Sequence, residues 1–390
     1  MASPSRFPEH LLSDTPSARL SYFKAFTSEH PFLVAATHEV MRAIREPTGA
    51  LLVYVFGQTG VGKTTLKRRV EKQLLEEALP ELENDRGRIP FASMDVVALD
   101  PGSFSPRDYY TRALLALDEP LIGHTLKRPL PNRADQADES LRSRGGPVMD
   151  LRLRLEQAIR HRRPSAFILD EAQHLMKTAS GRRLQDQLDW IKSLATMTGT
   201  VHVLLGTYEL LIRDLSAQLS RRARDIHFPR YRLDRKSDVE AFQNVLWKFE
   251  RHLPLEKQAS LLEHWEFCYQ RTRGCVGILK DLLTQALADA LHDGRPTVDY
   301  DLLQRHALSR SQYDKIENDT AHHEKELGYA AFSTNIQDHG STRRDVVASK
   351  ENAEDAAEEM SMRAVERKPP RRVGQRKARR DPVGEHQHAS

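Results

Sequence analysis

The stretch that decides the fold is LLVYVFGQTGVGKTT, Leu51 to Thr65. Its first half is apolar and rich in strand formers. Its second half fits the pattern G-x-x-x-x-G-K-[ST] at every fixed position, from Gly57 to Thr64. Such a loop turns backbone N–H groups toward phosphate oxygens. Gly57, Gln58, Thr59, Gly60, Val61 and Gly62 form the cradle. Lys63 adds a point charge, the Thr64 hydroxyl reaches Mg²⁺, and Thr65 continues a helix whose positive N-terminus faces the phosphates. Leu66, Val70 and Leu74 then recur at helical spacing. Strand, glycine loop and helix in that order predict a site for the β- and γ-phosphates of a nucleotide.

Downstream motifs supply the rest of a hydrolytic site. Phe167-Ile-Leu-Asp170-Glu171 is an apolar strand ending in two acids. Asp170 would hold Mg²⁺ through water, and Glu171 would polarise the attacking water. Gly206-Thr207 ends a further strand, Val201 to Leu205. The Thr207 hydroxyl is expected to address the attacking water or the γ-phosphate, with a plain helix cap as the alternative. Ser220-Arg221-Arg222 follows a helix, and either arginine suits a finger donated to a neighbouring subunit. The competing reading is a solvated basic helix end. Lys280, at the start of a later helix, is a candidate cation over the nucleotide.

Strands alternate with helices through the first part of the chain. Candidates lie at Leu51–Phe56, Ile89–Leu99, Ala166–Leu169, Val201–Leu205 and Ile226–Phe228. This predicts an α/β fold: a five-stranded parallel sheet covered by helices on both faces. The helix after the glycine loop is expected to stop near Pro80, and the basic stretch 123–146 reads as a loop. From Tyr231 the strands cease. Ser237-Asp-Val-Glu240 fits a capping box, and apolar residues at helical spacing predict an all-α unit. Four regions follow: a helical lead-in (1–48), an α/β nucleotide-binding domain (49–230), a helical lid (231–312) and a mostly disordered charged tail (313–390). The tail carries KPPRRVGQRKARR, which suits DNA or partner docking.

The 390 residues are 39% hydrophobic and 29% charged, with a formal net charge of +4. That composition supports a core but assigns no partner. No run approaches the roughly 18–20 apolar residues of a membrane span, and MASPSRFPEHLLSD lacks a secretory apolar segment. Cys268 and Cys275 read as thiols of a reducing compartment, so a cytoplasmic protein is expected.

The motif order resembles that of the AAA+ ATPases. More narrowly, DEAQHL at Asp170–Leu175, Leu205-Gly-Thr207, Leu219-Ser-Arg-Arg222 and Gly274-Cys-Val-Gly-Ile-Leu-Lys280 are similar to the TnsC and TniB group of transposition regulators. The resemblance covers about residues 20 to 310. It implies an ATPase that binds ATP and Mg²⁺ and forms a homo-oligomeric ring or filament on duplex DNA. It also implies a transposase partner, a target-selection protein as a further partner, and disassembly by hydrolysis. Lys280 stands where many AAA+ proteins have Arg. Clustered arginines are the expected phosphate contacts: Arg142, Arg144, Arg152, Arg154, Arg160, Arg162 and Arg163, with Lys127, Arg128 and Arg133 upstream and Arg182 and Arg183 beyond. A solvated helix face is the alternative for them. Helicase loaders and replication initiators share much of the pattern, and a scaffold that holds nucleotide without turnover is a third reading.

Overall fold

The computed structural model describes residues 6–97, 105–119, 134–175, 182–211 and 223–326, with backbone alone for 134–147 and 182–188 and for residues 211, 319 and 326. All of these fall in one compact unit, Met1–Ile336; a second, Gln337–Ser390, lies outside the described residues.

Five strands form one parallel sheet in the order β2-β3-β4-β1-β5. They are β1 (Leu52–Phe56), β2 (Ala92–Asp95), β3 (Ala166–Asp170), β4 (Val201–Gly206) and β5 (Ala223–His227). β1, β3 and β4 are buried along their whole length. Their near-continuous apolar runs follow from helices lying on both faces. Alternation divides the strands between two cores. Leu52, Tyr54, Phe56, Phe167, Leu169 and Leu204 face α4 (Pro106–Ala116), α5 (Ala134–Arg162) and α6 (Arg182–Thr198). Val53, Val55, Ile168, Val203 and Leu205 face α2 (Pro31–Arg45) and α3 (Lys63–Leu82).

The C-terminal helical region, expected as the lid, contains α7 (Lys236–His252), α8 (Trp265–Thr272), α9 (Val276–His292) and α10 (Tyr300–His306). It also takes in the N-terminal helix α1 (Pro16–Ala25). Phe23 is fully buried in the lid core beside Phe249, Leu279 and Leu283. The helical lead-in is therefore split: α1 belongs to the lid core, whereas Leu33, Val40 and Ile44 of α2 pack under the sheet.

Four local expectations are corrected. α3 continues through Pro80 to Leu82. Glu76 and Pro80 are both exposed there, so water can satisfy the carbonyl that loses its N–H partner. Residues 134–146, read as loop, are helical within α5, where Ala134, Gln136, Ala137 and Glu139 are good helix formers. α7 starts before the expected capping box, with Arg235 at the N-cap and no side-chain cap. The Asp238 carboxylate instead accepts the Arg232 N–H at 3.1 Å. Finally, the stretch read as the start of the tail opens with a helix, α11 (Arg310–Glu326). The remainder, 327–390, lies outside the described residues.

Candidate nucleotide site

Sheet order puts the chemistry at one edge. β4 lies between β1 and β3, so the loops leaving the C-terminal ends of these three strands are neighbours. Phe56 is in register with Gly206, and Leu169 with Leu204. The Gly57 N–H donates to the Gly206 carbonyl at 3.3 Å. The glycine loop, Asp170-Glu171 and Thr207 meet as a result.

Three glycines are needed for different reasons. Gly60 and Gly62 have φ of +82° and +112°, which an L side chain rarely adopts. A Cβ on Gly57 would collide with the Phe228 carbonyl oxygen. Lys63 opens α3 and is 8% exposed. Its Nζ donates to the Gly57 and Gln58 carbonyls, each at 3.0 Å. Burial pulls its pKa down, and the Glu171 and Asp170 carboxylates pull it back up.

The Thr64 hydroxyl donates to Asp170 Oδ2 at 3.3 Å. Two hard oxygen ligands thus converge beside the phosphate cradle, which fits a Mg²⁺ shared with phosphates. Burial raises the Asp170 pKa; the Glu171 N–H and Lys67 oppose it. Lys67 was not anticipated. Its Nζ lies 2.6 Å from Asp95 Oδ1 and 3.8 Å from Asp170 Oδ2, so a cation already faces the acid. The signal for it was its place one helical turn after Lys63.

Glu171 and Thr207 share a neighbour that motif reading also missed, Gln173. Its amide oxygen accepts the Thr207 N–H at 3.2 Å, and its amide nitrogen donates to Glu171 Oε2. The Thr207 hydroxyl is buried without a protein partner, as are both polar atoms of the Gln58 amide. Orphaned polar atoms lining a phosphate cradle fit a polar ligand there.

The lid touches the cradle directly. The Ile278 N–H donates to the Gly60 carbonyl at 3.2 Å. A Cβ on Gly60 would strike Ile278, and one on Gly277 would strike the Gly60 carbonyl.

Lys280, the candidate cation over the nucleotide, is held in this structure by α1. It faces α1: its Nζ donates to the Phe23 carbonyl and sits 3.5 Å from the Phe23 ring centroid. Burial lowers its pKa to about 7. Phe23 is far away in sequence, so local spacing gave no sign of this contact.

Arg152, Arg154, Arg160 and Arg162 of α5, and Arg163 just after it, have partners within the fold. Arg152 bonds Glu156 at 3.1 Å and Ser193 at 3.3 Å, and Arg154 pairs with Asp150 at 3.2 Å. Arg160 donates to the Met197 carbonyl at 3.1 Å. Arg162 bonds Glu119 at 3.1 Å and the Asp118 carbonyl at 2.9 Å, and Arg163 pairs with Asp85. The backbones of Arg142, Arg144, Arg182 and Arg183 lie on α5 and α6. Lys127, Arg128, Arg133, Arg221 and Arg222 lie outside the described residues.

Residues 45–213 match the family model described as "AAA domain". The chain thus carries an AAA domain of the P-loop NTPase type, a module that typically binds ATP with Mg²⁺. No curated protein matches. Solved structures of similar fold include the ORC2 protein of Aeropyrum pernix in ADPNP–ADP complexes, at 14% identity and a TM-score of 0.48 over 80% of this chain and 75% of that one. The ORC1 protein of the same organism, in complex with DNA, matches at 17% identity and 0.47, over 73% of this chain and 65% of that one. CDC6p from Pyrobaculum aerophilum matches at 14% and 0.43, over 85% and 84%. Among the described residues no helix is long and apolar enough to cross a membrane.

Proposed function

We propose that this chain is an ATP-hydrolysing AAA+ switch that assembles with copies of itself on DNA when it holds ATP. The observation that carries the hydrolytic part is the convergence of Lys63, Thr64, Asp170, Glu171 and Thr207 at one edge of the sheet. The Ile278–Gly60 hydrogen bond extends that site into the lid.

The roles follow from position. The glycine loop and Lys63 hold the phosphates of ATP. Thr64 and Asp170 would hold Mg²⁺, which when bound offsets charge on the phosphate oxygens. Glu171 accepts a proton from water as the water oxygen bonds to the γ-phosphorus. The bond from that phosphorus to the bridging oxygen of ADP breaks, leaving ADP and inorganic phosphate. The Thr207 hydroxyl orients the water or the γ-phosphate. Arg221 or Arg222 of one copy completes the site of the next. Hydrolysis then acts as a timer on assembly.

The DNA part rests on the motif resemblance. A transposition regulator is the form that DEAQHL and the lid motif suggest, with duplex DNA and a transposase as partners. A replication initiator or helicase loader uses the same ATP chemistry with a helicase as partner. Electron microscopy of the full chain with a slowly hydrolysed ATP analogue, on duplex and on single-stranded DNA, separates them. Rings or filaments on duplex, absent with ADP, are the expected result. Preference for single strands would favour the loader. No assembly on either DNA would overturn the DNA role and leave the ATPase to be judged by phosphate release.

A further inference from the structure

Glu171 has φ +53°, a left-handed conformation that is uncommon for a residue with a side chain. Two local bonds accompany it. Its N–H donates to Asp170 Oδ1 at 2.9 Å, and its carbonyl accepts the His174 N–H at 2.9 Å. The chain then enters the 3₁₀ turn Ala172–Leu175, which turns Gln173 inward to 5% exposure.

The Gln173 amide joins two elements that the sequence keeps far apart. A main-chain N–H can only donate, so the amide oxygen must face Thr207. An ionised carboxylate can only accept, so the amide nitrogen must face Glu171. The observed bonds obey both requirements. Gly206 makes the approach feasible, because a Cβ there would stand 2.6 Å from Gln173 Oε1. The amide contacts Oε2 of Glu171 and leaves Oε1 to take a proton from water.

We infer that Gln173 is a positioning residue for hydrolysis. It ties the Glu171 carboxylate to the tip of β4, so that the base and the Thr207 hydroxyl address one attacking water. The inference rests on Glu171 being the general base. Gln173 acts through its bonds to Glu171 and the Thr207 N–H.

Two substitutions test it. Gln173→Met fills the same space without hydrogen bonds. Gln173→Glu keeps an acceptor for the Thr207 N–H but sets a second carboxylate against Glu171. Full-length proteins are compared by steady-state ATP hydrolysis, by equilibrium titration with a fluorescent ATP analogue and by thermal unfolding. Both variants are expected to lose about tenfold or more in kcat, with KM and nucleotide Kd held within about twofold. A merely structural role would weaken nucleotide binding along with turnover. Unchanged kcat in a folded variant overturns the inference, as does a Kd that rises in step with the loss of kcat. Gln173→Glu carries the test if Gln173→Met does not fold. Absence of turnover in the unmodified chain would overturn the role of Glu171 as base, and this inference with it.

Discussion

Arg230→Met should detach helix α11 while leaving the nucleotide domain folded. Arg230 follows β5, and its side chain is 3% exposed. Nε and Nη2 bond the two oxygens of Glu324, each at 3.0 Å; Nη1 and Nη2 bond those of Glu317 at 2.5 and 3.1 Å. The Glu317 and Glu324 side chains are 13% and 4% exposed. Methionine fills much of the arginine volume, so the cavity cost is small. What remains is two buried carboxylates stripped of a fork of charged hydrogen bonds, a loss of about 3–5 kcal/mol. Other anchors of α11 include Arg273 over the Tyr313 ring at 4.6 Å and the His323–Tyr208 stack at 5.5 Å. Each is worth about 0.5–2 kcal/mol, less than the loss, so the helix should open locally first. Hydrogen exchange across 310–326 should accelerate by about 10²- to 4 × 10³-fold, at roughly tenfold per 1.4 kcal/mol. Burial works against the Arg230 charge, but the hydrogen bonds it donates to Glu317 and Glu324 outweigh it and raise its pKa above the ordinary arginine value. Its contribution is complete below that value, so the effect should not vary between about pH 6 and 9. Replacing all three residues by apolar ones should restore most of the protection. Less than about a tenfold acceleration in Arg230→Met would refute the claim that this fork docks α11.

Three further perturbations separate competing readings. Lys280→Met removes a charge that burial disfavours, so stability near pH 7 should not fall, and ATP affinity should be unchanged in a binding titration; a drop in affinity would return Lys280 to the nucleotide site. His202 is fully buried, bonds the Thr200 carbonyl through Nδ1 at 2.9 Å, and has its pKa lowered to about 4 by that burial. A depressed histidine pKa means the unfolded chain binds the proton first, so stability is complete above about 6.5 and is lost as pH falls toward 4, by about 3 kcal/mol from this residue. Denaturant titrations across that range should show a shallower slope in His202→Leu. Gly277→Ala should push the lid off the cradle, since its Cβ would strike the Gly60 carbonyl; the expected result is about tenfold weaker ATP binding, and unchanged binding would mean the lid contact is idle.

The sheet and the phosphate cradle were legible because local chemistry dictates them. A buried parallel strand must be apolar, and a loop that wraps phosphate needs glycines at fixed places. Asp170 and Thr207 were legible for a related reason, since each ends an apolar strand. α11 was hidden because the groups that dock it are charged. Glu317 and Glu324 satisfy Arg230, and hydropathy registers three charges where the fold holds one buried fork. For the α5 arginines the sequence left the intramolecular partners hidden. A charge cluster looks alike in sequence whether it faces phosphate or carboxylates, and Glu119, Asp150 and Glu156 come into range only after folding. The Lys280–Phe23 contact was not legible, because nothing near Lys280 in the sequence points to Phe23. Gln173 lay in plain view within DEAQHL, but its meaning depends on Gly206 offering no side chain one strand away.

The most direct test of the central claim is phosphate release by Glu171→Gln beside the unmodified chain, with ATP binding measured on both. Glu171→Gln keeps the shape and can still hydrogen-bond but cannot take the proton. The expected result is equal ATP affinity within about twofold and a loss of turnover of about 10²-fold or more. Equal turnover by the two proteins would contradict the account of this site as a hydrolytic switch.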